Sequence, residues 1–254
     1  MTMFSVPIIT YHSIDDSGSV ISTAPTVFKR QIASLAKDGF RAFTMRELAS
    51  RIEMKTPLPP KPVVLTFDDG FKNFYTDAYP VLNAYHFAAT VFVVTDHCGH
   101  YNDWNGNPAD FPRSELLTWK DIRELSAEGI EFGSHTRTHP DLLSISAASI
   151  EDEIAGSKAA LDDALGRETA SFAYPFGRKN EMVKGIAAAN YRSATSTVLG
   201  KVTPHSDLYS LERVDAYYLS NPWILDRLDT AGFDRYLTVR QFLRNAKAFA
   251  ARPY

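Results

Sequence analysis

The stretch Lys61-Pro-Val-Val-Leu-Thr-Phe-Asp-Asp-Gly70 decides the fold. Its apolar run, Val63–Leu65, is typical of a short strand that other elements cover on both faces. Asp68, Asp69 and Gly70 end that strand, because aspartate and glycine favour turns. Two adjacent carboxylates at the carboxyl end of a buried strand stand where α/β enzymes place catalytic groups. Taken alone, the stretch is equally compatible with an aspartate cap on the next helix.

A second polar stretch follows in Ile130-Glu-Phe-Gly-Ser-His-Thr-Arg-Thr-His-Pro-Asp-Leu142. His135 and His139 have the spacing i and i+4, so one turn of helix would place both imidazoles on one face. Two histidines and one carboxylate form a common ligand set for a catalytic divalent metal with open positions for water and substrate. Together with Asp68 and Asp69, the chain offers three ligands and one spare carboxylate, which is what metal-assisted hydrolysis needs.

These motifs resemble those of a known family. Thr66-Phe-Asp-Asp-Gly70 and His135-Thr-Arg-Thr-His139 are similar to the first two motifs of the NodB-type polysaccharide deacetylases, carbohydrate esterase family 4. Phe172-Ala-Tyr-Pro-Phe-Gly177 resembles the third motif in that family's poly-N-acetylglucosamine deacetylase branch. The resemblance extends from about residue 6 to about residue 215. It implies a distorted (β/α)7-type barrel, and metal-dependent removal of N-acetyl groups from N-acetylhexosamine units of a poly- or oligosaccharide, or of its biosynthetic precursor.

The resemblance also implies roles for single residues. Asp68 would take the proton of the attacking water, and His12 would protonate the leaving amine. His12 ends the predicted strand Val6–His12 and matches the general-acid histidine that this branch carries near its N-terminus. His205 is the alternative acid, since the family's usual Leu-x-x-His is replaced by Leu211-Glu-Arg-Val214. One divalent cation, Zn²⁺ or else Co²⁺ or Ni²⁺, is expected on three ligands: Asp69, His135 and His139.

The third motif is expected to contact the substrate. A tetrahedral intermediate needs a preset donor where negative charge develops, and in the family a backbone N–H of this motif provides it. The family's third motif usually carries an arginine that orients the base, but Ala170 and Ala173 stand near that place. Because the same branch tends to have an arginine in its last strand, the resemblance implies that Arg213 supplies the guanidinium. The family's fourth motif is also absent, and Tyr191–Thr195 is the nearest match. The expected substrate-binding residues of the third motif are Tyr174, Pro175, Phe176 and Gly177.

The long segment Thr95–Trp119 lacks periodicity, which is typical of a binding loop. Trp104 is expected to stack on a sugar ring, although ordinary packing explains it equally well. For Trp119, packing is the preferred interpretation. His97-Cys98-Gly99-His100 is not predicted to form a second metal site, because no complementary cysteine or histidine cluster exists elsewhere in the chain.

The composition narrows the class of protein. The 254 residues can build one large core or at most two small domains, and we expect one domain over residues 1–254 because the sequence shows no convincing linker. The net charge of −3 gives no basic stripe for nucleic acid. A single cysteine, Cys98, excludes an intramolecular disulfide.

The sequence contains no apolar run of about 18 residues, so no membrane span is predicted. Without a signal sequence the chain is expected in the cytoplasm, or outside the cell if a signal has been removed. The oligomeric state is left open.

Apolar runs alternate with amphipathic segments, which predicts an α/β barrel of parallel strands with helical crossovers. Besides the central strand before Asp68, the predicted strands are Val6–His12, Phe40–Phe43, Ala89–Val94, Ile130–Gly133, Ala170–Tyr174, Arg192–Thr195 and Leu211–Val214. The predicted helices are Phe28–Asp38, Met45–Met54, Tyr79–Tyr85, Trp119–Glu128, Ile150–Leu165, Val183–Ala189 and Asp234–Ala251.

Three other functions fit parts of the pattern. The same scaffold could hydrolyse another non-peptide C–N bond, such as that of a cyclic amide or ureide, although such relatives tend to lose metal ligands. A non-catalytic glycan-binding protein would hold sugar without releasing acetate. A metal phosphoesterase would need further ligands for a second ion. The presence of all three expected ligands favours N-deacetylation.

Overall fold

A closed sheet of parallel strands forms the centre of the computed structural model, which describes residues 4–107 and 111–250. The strands are β1 (Ile8–Tyr11), β2 (Arg41–Phe43), β3 (Pro62–Phe67), β4 (Thr90–Val93), β5 (Glu131–Ser134), β6 (Ser171–Ala173), β7 (Ser193–Leu199) and β8 (Leu211–Asp215). Their order is β1-β8-β7-β6-β5-β4-β3-β2, and β1 also pairs with β3. That pairing closes a barrel, and β2 remains outside it as an extra strand on β3. The expected (β/α)7-type barrel is confirmed.

Helices surround the barrel and begin where the sequence supplies caps. The helices are α1 (Pro25–Lys37), α2 (Met45–Glu53), α3 (Tyr79–Ala84), α4 (Trp119–Ala127), α5 (Ala147–Glu151), α6 (Ser157–Leu165), α7 (Glu181–Asn190), α8 (Pro222–Leu225) and α9 (Ala231–Ala250). Thr44 and Thr118 each form a capping box, which satisfies backbone N–H groups at the first turn of α2 and α4. Gly166 ends α6 in the left-handed conformation that favours glycine.

The period of two along each strand separates the core into two parts. In β3, Val63 and Leu65 pack against the surrounding helices, while Val64 packs inside the barrel. The inward positions of β3 become polar towards its carboxyl end, from Val64 to Thr66 and then Asp68. Strand β1 shows the same change at Ile8, Thr10 and His12. Polar side chains therefore collect at the carboxyl-terminal mouth of the barrel.

Several elements differ from the prediction. Strand β7 continues to Leu199, and a π-helical turn, Phe74–Ala78, precedes α3. The helix expected at Ile150–Leu165 begins at Ala147 and contains a π-helical turn, Asp152–Gly156, between α5 and α6. After β8, a 3₁₀ turn at Ala216–Leu219 and the short helix α8 were not predicted, because neither is long enough to show helical periodicity. The predicted end of the last helix at Ala251 lies outside the described residues. None of the described helices is both long and apolar enough to span a bilayer.

Candidate active site and metal centre

The two adjacent aspartates point towards different partners because the chain turns sharply between them. Asp69 and Gly70 both have left-handed backbone conformations, with φ of 72° and 76°. A Cβ at Gly70 would lie 2.9 Å from Val93 Cγ1, so the turn needs glycine for space as well as conformation. Both carboxylates are almost fully buried. The turn sends Asp68 towards Arg213 and Asp69 towards the histidines.

The structure brings the three predicted metal ligands together. Asp69 Oδ1 lies 3.4 Å from His135 Nε2 and 3.5 Å from His139 Nε2. All three residues are buried, and they form the metal-ligand group found among the described residues. Metal–ligand bonds of about 2.0–2.1 Å in a tetrahedral arrangement place the ligand atoms about 3.3–3.4 Å apart. The separations of the donor atoms and their chemistry therefore fit one cation such as Zn²⁺.

The loop that carries the histidines is not helical, so the expected helical turn is wrong. Thr136 and His139 have left-handed φ values of 69° and 58°. Glu153, from the π-helical turn, accepts hydrogen bonds from the backbone N–H groups of Arg137 and Thr138, at 2.8 and 2.9 Å. The carboxylate thus takes the place of helical hydrogen bonds and fixes the loop. Sequence reasoning missed Glu153, because a glutamate on an amphipathic helix looks like part of the solvated face.

Each histidine is held by contacts away from the metal position. His135 Nδ1 donates to the carbonyl of Ala173 at 2.7 Å, which leaves Nε2 for the cation. The His139 ring lies between Trp104 and Phe176, with ring centroids 4.7 and 4.8 Å away. Burial, and then the neighbouring His135, lower the pKa of His139 well below its ordinary value. His139 is therefore neutral, the form in which imidazole binds a metal.

Arg213 holds Asp68 in one orientation and stabilises its ionised form. Its Nη1 and Nη2 donate to the two carboxylate oxygens at 2.7 and 2.8 Å, and its Nε donates to the Ser196 carbonyl. Burial alone would raise the pKa of Asp68. The charge of Arg213, followed by those of His135 and His12, outweighs burial and holds this pKa well below its usual range. Asp68 is therefore an ionised carboxylate in a fixed orientation.

Asp69 has the opposite electrostatic setting. Burial raises the pKa of Asp69, the charge of Asp68 adds to the rise, and His12 and His135 oppose it. No arginine or lysine pairs with Asp69 among the described residues, whereas Asp68 has Arg213. A buried carboxylate is stable when a cation compensates it. The imbalance therefore supports a metal ion at Asp69.

His12 lies at the mouth of the barrel beside Asp68. Its Nε2 is 3.8 Å from Asp68 Oδ2, which is longer than a hydrogen bond, and its side chain is 25% exposed. His12 and Asp68 line a common cavity of about 70 Å³. The alternative acid, His205, lines a separate polar pocket with Lys179 and Glu181. The structure thus brings His12, and not His205, to the predicted base.

The third motif, Phe172–Gly177, brings backbone groups and the exposed ring of Phe176 to the site. The Tyr174 hydroxyl donates to the Tyr209 carbonyl at 3.0 Å and the ring packs in the core, so the expected substrate contact by this side chain is wrong. Pro175 is buried in the 3₁₀ turn that follows. Phe176 is 45% exposed and has a left-handed φ of 57°. Among the described residues, no acceptor takes a hydrogen bond from its backbone N–H. Gly177 is required because a Cβ there would overlap Thr197 Oγ1.

Trp104 is placed differently from the prediction. Only 6% of the residue is exposed, and it packs in a small cluster with Phe71, Val94 and Leu116. Its ring also covers His139. A buried indole has too little free surface to stack on a sugar, so stacking is wrong for this conformation.

The other residues of the loop are structural. Trp119 begins α4 and packs against the core. The guanidinium of Arg113 stacks on the Tyr101 ring at 3.3 Å. Burial raises the pKa of Cys98 to about 12, so its thiol stays protonated and is a poor metal ligand.

Comparisons with known proteins agree with this geometry. Residues 55–194 match a family model described as "Polysaccharide deacetylase". A Bacillus subtilis protein whose name places it among polysaccharide deacetylases, YxkH, is 30% identical over 82% of this chain and 70% of its own length. The poly-β-1,6-N-acetyl-D-glucosamine N-deacetylase of Escherichia coli K12 is 24% identical over 96% of this chain. The chain spans only 35% of the length of that relative.

Solved structures give the same result. A deacetylase from Streptococcus pyogenes, PplD, solved in complex with acetate, superimposes with a TM-score of 0.74 and 30% identity. The match covers 84% of this chain and 93% of that one. IcaB from Ammonifex degensii superimposes with a TM-score of 0.71 and 25% identity, over 83% of this chain and 91% of that one.

Proposed function

Because the chain belongs to the polysaccharide deacetylase family, we propose that it hydrolyses N-acetyl groups of N-acetylhexosamine units in a poly- or oligosaccharide. The single observation that carries the proposal is the convergence of Asp69, His135 and His139 on one point, beside a second carboxylate, Asp68, that is paired with Arg213. Relatives named for deacetylation of poly-β-1,6-N-acetyl-D-glucosamine support the carbohydrate class.

The three ligands favour Zn²⁺, with Co²⁺ or Ni²⁺ as alternatives for the same nitrogen and oxygen donors. When bound, such an ion polarises the acetyl carbonyl and makes water a nucleophile near neutral pH. The protein supplies Asp69 as the anionic ligand, and His135 and His139 as neutral ligands. Three protein ligands leave a coordination position open for substrate or water, as catalytic zinc sites require.

Asp68 acts as the general base in this proposal. Arg213 keeps it ionised and holds both of its oxygens, so the carboxylate faces the cavity with one orientation. It takes the proton of the water that attacks the acetyl carbon. Asp68 pairs with Arg213, whereas Asp69 lies beside His135. The two neighbouring aspartates therefore do not compete for the role of base or of metal ligand.

His12 acts as the general acid. The C–N bond of the tetrahedral intermediate breaks only if the departing nitrogen gains a proton, since a free amide anion is a very poor leaving group. His12 lines the same cavity as Asp68 and is accessible to substrate. Its proton passes to the sugar nitrogen, and the products are acetate and an amine.

Phe176 supplies the donor for the developing oxyanion through its backbone N–H. This N–H has no acceptor among the described residues, and the Phe176 ring lies next to the His139 ring. A preset donor at such a position is worth a few kcal/mol in the transition state. The exposed Phe176 ring offers the apolar surface for the acetyl methyl group or the sugar.

Acetate release tests the proposed function. We expect the metal-loaded enzyme to release acetate from β-1,6-linked N-acetylglucosamine oligomers, and a chelator to abolish the release until metal is restored. Chitin oligomers and small cyclic amides complete the panel. Release of ammonia or ring-opened product from cyclic amides, without acetate release from any glycan, would contradict the proposal. Glycan binding without any turnover would indicate a binding protein instead.

A further inference from the structure

A second cavity, which we call the amino-terminal cavity, lies where the barrel strands begin. Its volume is about 460 Å³. The residues before β1, the end of α2, the connection from α2 to β3 and the loop between β7 and β8 line it. Strand β3 leads from Pro62, on the cavity wall, towards Asp68, and its six residues span about 20 Å. The amino-terminal cavity is therefore separate from the proposed site of hydrolysis.

The walls of this cavity are mostly apolar and rigid. Phe4, Ile52 and Leu58 line it and are partly buried against the core inside the barrel. Four prolines complete the walls: Pro57, Pro59, Pro62 and Pro204. Because the proline ring fixes φ, these walls lose little conformational freedom when a ligand binds. An apolar lining and a volume of this size are typical of small-molecule sites.

Two cationic side chains, Arg51 and Lys55, line the same cavity. Arg51 Nη1 donates to the Pro57 carbonyl at 2.8 Å, which holds the guanidinium in place and leaves its other donors for a ligand. In the part of the chain that the structure describes, no carboxylate lines the cavity or forms an ion pair with either side chain. An apolar cavity with two cations favours a ligand that has an apolar body and an anionic head group.

The backbone of Lys55 gives a reason to retain its side chain. Lys55 follows the end of α2 with a left-handed φ of 54°. The next N–H, that of Thr56, donates to the Arg51 carbonyl at 3.0 Å, as in a Schellman cap. Glycine is the usual residue at this position, because a Cβ is unfavourable in the left-handed conformation. A lysine here costs stability, and ligand binding by its ammonium group would compensate for that cost.

We propose that the amino-terminal cavity binds the anion of a single-chain fatty acid. Arg51 and Lys55 would donate hydrogen bonds to the carboxylate, and Phe4, Ile52 and Leu58 would contact the alkyl chain. A doubly charged phosphate fits less well, because the head group would lie at the carboxyl-terminal end of α2, where the helix dipole is negative. The proposal does not depend on the hydrolysis of N-acetyl groups.

Calorimetric titration of the unaltered chain with dodecanoate, below its micelle concentration, tests this site. We expect one molecule to bind per chain. Dodecyltrimethylammonium should bind about tenfold or more weakly, because it cannot accept hydrogen bonds from the two cations. Dodecyl phosphate should also bind more weakly at about pH 8, where its head group is doubly charged. Hexanoate should bind more weakly because it leaves part of the apolar wall uncovered.

Lys55→Gly separates ligand binding from a structural role. The variant should bind dodecanoate about tenfold or more weakly, because the carboxylate loses a charged donor. Its midpoint of denaturant unfolding should rise, because glycine suits the left-handed position. Lys37→Gln is the matched control, since Lys37 is an exposed lysine in the last turn of α1 and does not line the cavity. It should leave the affinity unchanged.

Several results would overturn the proposal. These are no binding of dodecanoate by the unaltered chain, an unchanged affinity in Lys55→Gly, equal binding of dodecyltrimethylammonium, and tighter binding of dodecyl phosphate. None of these measurements uses acetate release. Their outcome therefore leaves the proposed hydrolysis untouched, and failure of that hydrolysis would leave the fatty-acid site standing.

Discussion

The site consists of two halves built on neighbouring aspartates. The base half contains Asp68 with Arg213 and His12; Asp68 and His12 directly follow strands β3 and β1, and Arg213 lies within β8. The metal half contains Asp69 with His135 and His139, which are held by a turn, a loop and aromatic packing. Asp68 has its pKa lowered by Arg213 in spite of burial, while burial raises the pKa of Asp69. Identical side chains thus have opposite electrostatic settings, and the different roles proposed for them depend on these settings.

The difference also concerns how each half is held. The base half is fixed by side-chain ion pairing on rigid strands, so its geometry exists without a ligand. In the metal half, His139 Nδ1 has no hydrogen-bond partner among the described residues, and the loop depends on Glu153. We therefore expect changes around the metal half to act on metal affinity, and changes in the base half to act on turnover.

The largest expected effect separates the two halves directly. Asp69→Asn removes the anionic ligand. A single proton-transfer group contributes about 10²–10⁴-fold to the rate, and the fall in activity should be larger than that. Metal content measured after gel filtration should fall with it. An Asp69→Asn chain that retains both metal and activity would show that Asp69 is not a ligand.

Changes in the base half come next. Asp68→Asn and His12→Gln should each lower kcat by about 10²–10⁴-fold, because each removes one proton transfer. Metal content should be unchanged in both. Steady-state kinetics with parallel metal analysis checks this. Near-normal turnover in His12→Gln would exclude His12 as the acid, and the same measurement on His205→Gln, which we expect to be unaffected, provides the control.

The stability of an Arg213 variant tests whether ion pairing holds the base half. Arg213→Met leaves Asp68 as a buried charge without a partner, which should cost about 3–5 kcal/mol in the free energy of unfolding. Denaturant unfolding of the chain with metal removed measures it. Arg178→Met is the control, since Arg178 forms an exposed ion pair with Asp141 and should contribute little. Equal effects of the two variants would contradict the structural role of Arg213.

The metal affinity of a Trp104 variant tests whether aromatic packing holds the metal half. Trp104→Leu removes the ring that covers His139, and loss of such support should weaken metal binding by about 10–100-fold. Titration with Zn²⁺ in competition with a chelator measures the affinity. KM for glycan oligomers at saturating metal should change little. A large rise in KM with unchanged metal affinity would instead restore the sugar-stacking hypothesis.

The smallest expected effect concerns Tyr174. Tyr174→Phe removes the hydrogen bond to the Tyr209 carbonyl and should lower the free energy of unfolding by about 1 kcal/mol. Because the ring does not reach the site, kcat and KM should remain as in the unaltered enzyme. A change in KM would show that Tyr174 contacts the substrate after all.

The alternation of apolar runs and amphipathic segments predicted an α/β barrel, while the resemblance of the motifs to polysaccharide deacetylases supplied its (β/α)7 form and the proposed ligand set. Buried strands leave continuous apolar runs, and the turn residues at Asp68–Gly70 mark where the central strand stops. The features that the sequence did not predict depend on contacts between residues far apart in the chain. Glu153 fixes the histidine loop from another element, and Trp104 is buried by the folding of a long loop. Neither contact leaves a signal in the spacing of neighbouring residues.

Metal stoichiometry in two neighbouring variants tests the central claim most directly. After loading with Zn²⁺ and removal of excess ion, elemental analysis of the unaltered chain, Asp68→Asn and Asp69→Asn compares the two carboxylates within one turn. The account predicts one bound ion per chain in the unaltered enzyme and in Asp68→Asn, and none in Asp69→Asn. Loss of metal in Asp68→Asn, with retention in Asp69→Asn, would contradict it.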